Sequence, residues 1–344
     1  MTELNQGRIP EGLRIRKARM EDVGALHLLH QKYHREYLDE EAMTLSELQK
    51  EWKTPGFDLE ESVRVVFGPG GTMVGMVEIW DEDDPPVHPF LWWMVDPDYE
   101  DSGIGRWLVS WGIRRARQVF SRVEEGVRIS LRGAIHQEVA YSDRVLRELG
   151  FELFRHSFRM QVDFQDPPLD PEWPEGISVR PYRPEEDAEL VYRVDDEVFQ
   201  DHFGYVQQPF EEGFKRFLHN LTSGGRYDPS LWNLAVEGET VVGICLGSKW
   251  GYTSQDIGHV SILGVRRPWR RQGIARALLL HCFGEFYRRG YRSVDLGVDA
   301  GNLTGALDLY YQVGMKVKRQ YDKYELELRP GREVSVTGLD ASTT

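Results

Sequence analysis

Residues 265–275 read VRRPWRRQGIA and decide the fold. They follow a strand-like run, VSILGV at 260–265, and precede a helical pattern, RALLLHCF at 276–283. The first backbone N–H groups of a helix have no partner inside the helix and carry the positive end of its dipole. A strand that passes through an arginine-rich turn into a helix therefore predicts a site for an anion at the helix start.

The composition of the turn favours the same site. Gly273 and Ala275 are small, so the backbone can approach an anion closely. Arg270 and Arg271 supply positive charge that suits a diphosphate. The alternative is a plain strand–helix turn with surface arginines, because short glycine motifs often mark ordinary turns.

These residues resemble the R/Q-x-x-G-x-G/A signature of the GNAT superfamily of N-acetyltransferases. A later stretch, residues 302–315, resembles the GNAT block in which an Asn precedes a short helix that carries Ala and Tyr. The resemblance implies that acetyl-CoA is the co-substrate and that its pyrophosphate binds at the turn. The residues that it assigns to acetyl-CoA are Leu263, Val265, Arg270, Arg271, Gln272, Gly273, Ile274, Ala275 and Asn302.

In GNAT enzymes the strand before the turn separates from its neighbour, and its backbone pairs with pantetheine as with an added strand. Leu263 and Val265 would do this here through their backbone groups, and Asn302 would contact the pantetheine arm. Strict alternation would place His259, Ser261, Leu263 and Val265 on one face of the strand.

The resemblance also implies a direct attack of a primary amine on the thioester, with Tyr310 as the proton donor to the departing thiolate. Tyr311 points about 100° away around a helix. His259 lies eleven positions before Arg270, where some GNAT enzymes carry a glutamate, and an imidazole can take a proton from the amine. Tyr310 as a packing aromatic and His259 as an ordinary strand-edge residue remain the alternatives.

Composition excludes several other classes. The chain has 344 residues, 40% of them hydrophobic, which suffices for two domains with their own cores. The net charge of −14 predicts no nucleic-acid partner and would favour a cationic amine. The absence of a long apolar run or a signal peptide predicts no membrane partner. Cys245 and Cys282 suggest reduced, buried thiols, so we expect a cytoplasmic protein and no metal site.

Two halves of the chain read alike. Residues 13–22 and 177–187 each give a short strand, a turn and an acidic helix start. Gly103 and Gly273 mark equivalent turns, 170 positions apart by subtraction. We therefore predict an α/β (α+β) fold with two tandem GNAT domains, each a mixed, mostly antiparallel sheet flanked by helices.

The halves differ where the chemistry should lie. Glu100 and Asp101 replace the first arginines of the turn, and Leu146 stands where the second half has Tyr310. Like charges beside a diphosphate weaken its binding. This tandem layout is similar to that of the mycothiol synthase family. We predict a degenerate GNAT domain, a proline-rich linker, an active GNAT domain and a disordered tail, at residues 1–165, 166–176, 177–330 and 331–344 respectively.

The expected reaction is transfer of the acetyl group to a small-molecule or peptide amine. Residues 195–205 follow the first helix of the second half, a region that walls the acceptor site in GNAT enzymes. A second function stays open at this point. A protein with this fold can bind acyl-CoA or a partner without catalysis, because a fold does not determine an activity.

Overall fold

The structure of this protein is a computed structural model that describes residues 11–251, 254–301 and 305–337. The described chain divides into two compact units, each with its own hydrophobic core. Of the described residues, the first unit takes those up to His156 and 321–334, whereas the second extends from Ser157 to Gln320 and includes residues 335–337.

The first unit is a sheet flanked by helices. In chain order its elements are β1 (Arg14–Lys17), α1 (Val23–Tyr37), α2 (Leu45–Glu51), α3 (Leu59–Ser62), β2 (Val63–Phe67), β3 (Met73–Trp80), β4 (Phe90–Val95), α4 (Ile104–Ala116), β5 (Ile129–His136) and α5 (Ala140–Glu148). The strands lie in the order β1–β2–β3–β4–β5, and residues 321–329 add a further strand beside β5. Only β4 and β5 are parallel among these described neighbours, because α4 provides the crossover between them.

The second unit repeats this design. After β6 (Glu152–Asp163), its elements are β7 (Ile177–Pro181), α6 (Pro184–Phe199), α7 (Phe210–Thr222), β8 (Trp232–Glu237), β9 (Thr240–Ser248), β10 (Ile257–Val265), α8 (Ile274–Arg288), β11 (Ser293–Asp299), α9 (Ala306–Gln312) and β12 (Lys316–Arg329). The strands lie in the order β7–β8–β9–β10–β11, and residues 157–163 pair with β11. The parallel pair is β10 and β11, joined through α8. The predicted fold class is thus confirmed.

The same ion pair begins both units. Arg16 donates to the two carboxylate oxygens of Asp22 at 2.7 and 2.5 Å. Arg180 donates to those of Asp187 at 2.6 and 2.8 Å. Each arginine lies on the first strand of its unit and each aspartate lies at the start of the following helix, so a bidentate bond fixes the strand–helix corner.

The predicted domain boundaries differ from the units at two places. The second unit begins inside β6, and residues 321–330, predicted for the active domain, belong to the first unit. β6 and β12 are 12 and 14 residues long and contain no glycine or proline. No turn signal therefore marks where the chain passes between units. Residues 166–176, the predicted linker, contain no helix or strand.

The described part of the predicted tail carries backbone hydrogen bonds. The N–H of Arg332 donates to the carbonyl of Gly126 at 2.7 Å, and the N–H of Val336 donates to the carbonyl of Tyr205 at 3.0 Å. The segment just after residue 330 is therefore ordered, whereas a disordered tail was predicted. Backbone hydrogen bonds can order a polar segment that has few apolar contacts. Residues 338–344 lie outside the described ranges.

Candidate active site

The predicted anion turn lies at the start of α8. β10 ends at Val265, and α8 begins after Gly273. Gly273 has a φ of +90°, in the left-handed region that favours glycine, and Arg271 has a φ of +66°. The N-cap residue, Gly273, has no side chain that could cap this helix. Its first N–H groups therefore keep their capacity for an anion.

The neighbouring predicted residues support the shape of the turn. Ile274 is only 1% exposed, so the core holds the first residue of the helix in place. Ala275 is half-buried, and Gln272 is exposed, with its amide donating to the carbonyl of Pro268 at 3.3 Å. A Cβ on Gly273 would meet no heavy atom within 4 Å, so the backbone angle alone requires glycine here.

The arginines of the turn differ in their surroundings. Arg270 donates to the carbonyls of Val265 and Val198 at 3.0 and 3.2 Å, and to the carboxylate of Asp201 at 3.0 Å. Its guanidinium thus ties the turn to the end of α6. Arg271 is exposed. The charge predicted for a diphosphate is therefore more accessible on Arg271 than on Arg270.

An open edge of β10 leads up to the turn. The described pairing of β10 with β11 covers residues 257–260, where Val260 lies opposite Leu296. Beyond this point β10 pairs on its other side with β9, and Leu263 and Val265 lie opposite Cys245 and Gly243. The strands thus separate next to the predicted pantetheine residues, as the GNAT resemblance implies.

A β-bulge alters the predicted alternation of β10. The register shifts between Val260 and Ile262, so that Ser261 is the extra residue. Ser248 lies opposite His259, and Leu246, two residues earlier on the same face of β9, lies opposite Ile262.

The prediction that His259 shares a face with Leu263 and Val265 is therefore wrong. The partners of Leu263 and Val265 belong to the opposite face of β9, the face that meets α8 at Gly243. One inserted residue inverts the alternation on one side of the bulge, because side chains in a strand have a period of two.

Tyr310 is buried on α9, whereas Tyr311 is 52% exposed. Tyr310 is 7% exposed, and burial raises the pKa of its hydroxyl to about 12, with a smaller contribution from Cys245. Cys245 lies opposite Leu263 on β10, so Tyr310 stands on the same side of the sheet as this pair. A phenol with this pKa keeps its proton at neutral pH.

His259 has a partner that the sequence did not reveal. Its Nδ1 lies 2.6 Å from Oδ1 of Asp295 on β11, and Asp295 is 2% exposed. Oδ2 of Asp295 lies 3.8 Å from Nε of Arg159 on β6. The parallel register places His259 opposite Asp295. The sequence feature that could have indicated this partner is Asp295 itself, an acidic residue inside the buried part of β11.

The end of α6 carries the predicted acceptor wall. A side chain at Gly264 would collide with Val198, so α6 packs directly against β10. Asp195 lies one helical turn before Val198 and therefore on the same side of the helix. Its Oδ1 is buried with no hydrogen-bond partner in the described part of the chain, and burial, followed by Asp196, raises its pKa to about 7.

The remaining expectations concern Asn302, a metal site, a membrane span and the two cysteines. Asn302, predicted to contact pantetheine, lies outside the described ranges. Within those ranges no group of histidine, cysteine and acidic side chains could hold a metal ion, and no helix is long and apolar enough to cross a membrane. Cys245 and Cys282 are buried free thiols.

Comparison with known proteins gives the same family for both units. The family model described as "Acetyltransferase (GNAT) family" matches residues 25–151 and 190–315. A mycothiol acetyltransferase of Streptomyces scabiei is 28% identical over 260 residues, which cover 74% of this chain and 77% of that protein. A mycothiol acetyltransferase of Rhodococcus erythropolis is 26% identical over 276 residues, covering 76% of this chain and 82% of that protein.

Solved structures agree. A GCN5-related N-acetyltransferase from Sphaerobacter thermophilus has a TM-score of 0.79 at 32% identity and covers 96% of this chain and 100% of its own. A tandem GNAT protein from the clavulanic acid biosynthesis pathway shares the fold, with a TM-score of 0.68 at 15% identity over 93% of this chain and 100% of its own. The chain therefore belongs to the acetyltransferase (GNAT) family, as a tandem GNAT protein and an acetyl-CoA-dependent acyltransferase.

Proposed function

We propose that this protein acetylates a primary amine and that its active site lies in the second unit. The observation that carries the proposal is the uncapped start of α8 beside the open edge of β10. These two features fit an extended thioester with a diphosphate at one end. We assign the backbone at Gly273, Ile274 and Ala275 to the pyrophosphate, with Arg271 as its nearest accessible charge.

Acetyl-CoA supplies the activated acetyl group, and the protein supplies two proton-transfer groups. His259 takes the proton of the attacking amine through a ring nitrogen. Tyr310 donates its proton to the departing thiolate and recovers a proton from the amine nitrogen as the amide forms. The bulge at Ser261 supports this division, because it directs His259 to the α6 side of the sheet while Tyr310 lies on the α8 side.

The acceptor that suits this site is an amine that arrives as a cation. Asp195 offers a buried carboxylate oxygen without a hydrogen-bond partner among the described residues. An ammonium group would give that oxygen its missing partner and would favour the ionised carboxylate. The relatives named mycothiol acetyltransferase add one specific candidate, the unacetylated form of mycothiol.

A coupled assay tests the proposal. The full chain is mixed with acetyl-CoA and one of four amines, namely glucosamine, 1,4-diaminobutane, glycinamide or unacetylated mycothiol, and free thiol is measured with time. We expect amine-dependent thiol release by the parent protein and a loss of about 10²-fold in the His259→Gln variant. Calorimetry should find one tight acetyl-CoA site per chain. Two sites of equal affinity, or equal activity of parent and variant, would overturn the assignment.

A further inference from the structure

A buried carboxylate stands behind the proposed base. Oδ1 of Asp295 lies 2.6 Å from Nδ1 of His259, and Asp295 is 2% exposed, whereas the imidazole is 15% exposed. The two residues are register partners on parallel strands, so the sheet itself sets their separation. The pair is therefore held by backbone structure and not by a mobile loop.

The contact between His259 and Asp295 is enclosed by neighbouring groups and is not a solvent-exposed ion pair. A Cβ on Gly251 would lie 3.0 Å from Nδ1 of His259 and 3.4 Å from Oδ1 of Asp295, so backbone covers the bond closely. Arg159 of β6 lies 3.8 Å from the second oxygen of Asp295. On β9, Ser248 lies opposite His259, and its hydroxyl shares a hydrogen bond of 2.9 Å with that of Ser261.

We propose that Asp295 is a positioning residue that fixes the tautomer of His259. A carboxylate can only accept, so the proton of the neutral imidazole stays on Nδ1 and the lone pair resides on Nε2. When Nε2 takes the proton of the amine, the carboxylate stabilises the resulting imidazolium. The catalytic part of this inference rests on the proposed role of His259.

Nitrogen NMR of the full chain tests the tautomer without any acceptor. Protein labelled with ¹⁵N gives imidazole two-bond correlation spectra, and His259→Gln identifies the signals of His259 by their disappearance. We expect a protonated Nδ1 and an unprotonated Nε2 in the parent protein at mildly alkaline pH. In Asp295→Asn the amide can donate to Nδ1, and the proton should move to Nε2. A parent protein with its proton on Nε2 would contradict the proposal before any variant is made.

Kinetics then separate positioning from structure. With acetyl-CoA and the fastest amine of the panel, Asp295→Asn should lower kcat about 10²-fold and move the acid limb of the kcat/KM profile to lower pH. The affinity for acetyl-CoA should change less than twofold. Asp322→Asn is the matched control, because Asp322 bonds Nδ1 of His156 at 2.8 Å in the first unit. Equal losses in both variants would make the effect a general loss of stability.

The NMR and the kinetic measurements distinguish a failure of the positioning role from a failure of the proposed function. If none of the four amines is acetylated, the proposed acceptor class fails, and the NMR result still decides whether Asp295 sets the tautomer. If Asp295→Asn does not fold, the spectrum of the parent protein decides the question alone. An Nδ1-protonated parent with full activity in Asp295→Asn would overturn the positioning role while leaving the proposed function intact.

Discussion

The turns before α4 and α8 share one backbone shape but differ in what surrounds them. Gly103 and Gly273 each precede the helix with a left-handed φ, +80° and +90°. In both units the helix connects the two parallel strands of the sheet. The duplicated scaffold is therefore intact on both sides, and any difference in ligand binding must come from side chains.

In the first unit, side chains of the protein occupy the helix start. The N–H of Ile104 donates to Oγ of Ser102 at 3.3 Å, and the hydroxyl of Tyr141 lies so close to Gly105 that a Cβ there would collide with it. Burial, followed by Glu100, raises the pKa of Tyr141 to about 12, so this hydroxyl stays neutral. One amide at the start of α4 is thus already bonded, and a tyrosine side chain fills the space beside the next.

Charge adds to the contrast. Glu100 stands where the second unit has Arg270, and it accepts a hydrogen bond from the hydroxyl of Tyr37. A carboxylate fixed at that place repels a diphosphate. The comparison teaches that two units can share one scaffold and still differ in the few side chains on which ligand binding depends.

The largest expected effect concerns Tyr310, whose equivalent in the first unit is Leu146. Tyr310→Phe keeps the ring and removes the hydroxyl, so turnover should fall by about 10²–10⁴-fold. Affinity for acetyl-CoA should change little, because the hydroxyl acts as charge develops on sulfur. The measurement is single-turnover thiol release, with Tyr311→Phe as a control that keeps full activity. Unchanged turnover of Tyr310→Phe would make this tyrosine a packing residue.

The next effect concerns the two turn glycines. Gly273→Val should weaken acetyl-CoA binding by about 100-fold, because a β-branched residue resists φ near +90° and would turn the N–H groups away. Gly103→Val is the matched control, since a Cβ at either glycine would meet no heavy atom within 4 Å. Calorimetry should find the control unchanged in affinity. Equal losses would show that both turns bind the ligand.

The sequence predicted the turn and the repeat because both depend on local rules. Gly273 needs a left-handed angle, and the apolar periods of β10 and α8 follow from burial. The bulge at Ser261 could not be read from the alternation, since a strand sequence does not show which residue its partner skips. Asp295 was missed for a related reason, because its bond to His259 depends on strand register across 36 residues.

The side-chain bonds of Arg270 show another limit. The motif predicts a charge for the diphosphate, but the structure gives this guanidinium three acceptors within the protein. A charged residue in a signature can act on the ligand or on the loop that holds the ligand. Spacing alone does not separate the two roles, because both need the residue at the same position.

A smaller effect is expected at the acceptor wall. Asp195→Asn should raise the KM for a cationic amine about tenfold and leave the affinity for acetyl-CoA unchanged, because Asp195 binds the acceptor in the proposed site. The KM is measured with 1,4-diaminobutane. Asp196→Asn is the neighbouring control, since Asp196 is already bonded to the hydroxyl of Tyr205 at 2.8 Å. An equal rise of the KM in both variants would show that the overall negative charge of this region, and not Asp195 in particular, attracts the amine.

The smallest expected difference between the two units concerns their free energy of unfolding. Asp187→Asn and Asp22→Asn each remove one ion pair at a strand–helix corner, and each should cost roughly 1–3 kcal/mol of unfolding free energy. Hydrogen exchange measured on peptides of each unit should show the loss mainly in the unit that carries the change. Equal exposure of both units after either change would mean that they unfold together.

The pH dependence of this loss has a definite sign. The bond from Arg180, assisted by the N–H of Arg183, lowers the pKa of Asp187 below its ordinary value of 3.8. A carboxylate with a lowered folded pKa stabilises the protein fully above the ordinary value, and the contribution is lost as pH falls through the lowered pKa. The gap between the parent and Asp187→Asn should therefore be constant near pH 7 and shrink only in acid below about pH 4. A gap that shrinks between pH 5 and 7 would assign the loss to another group.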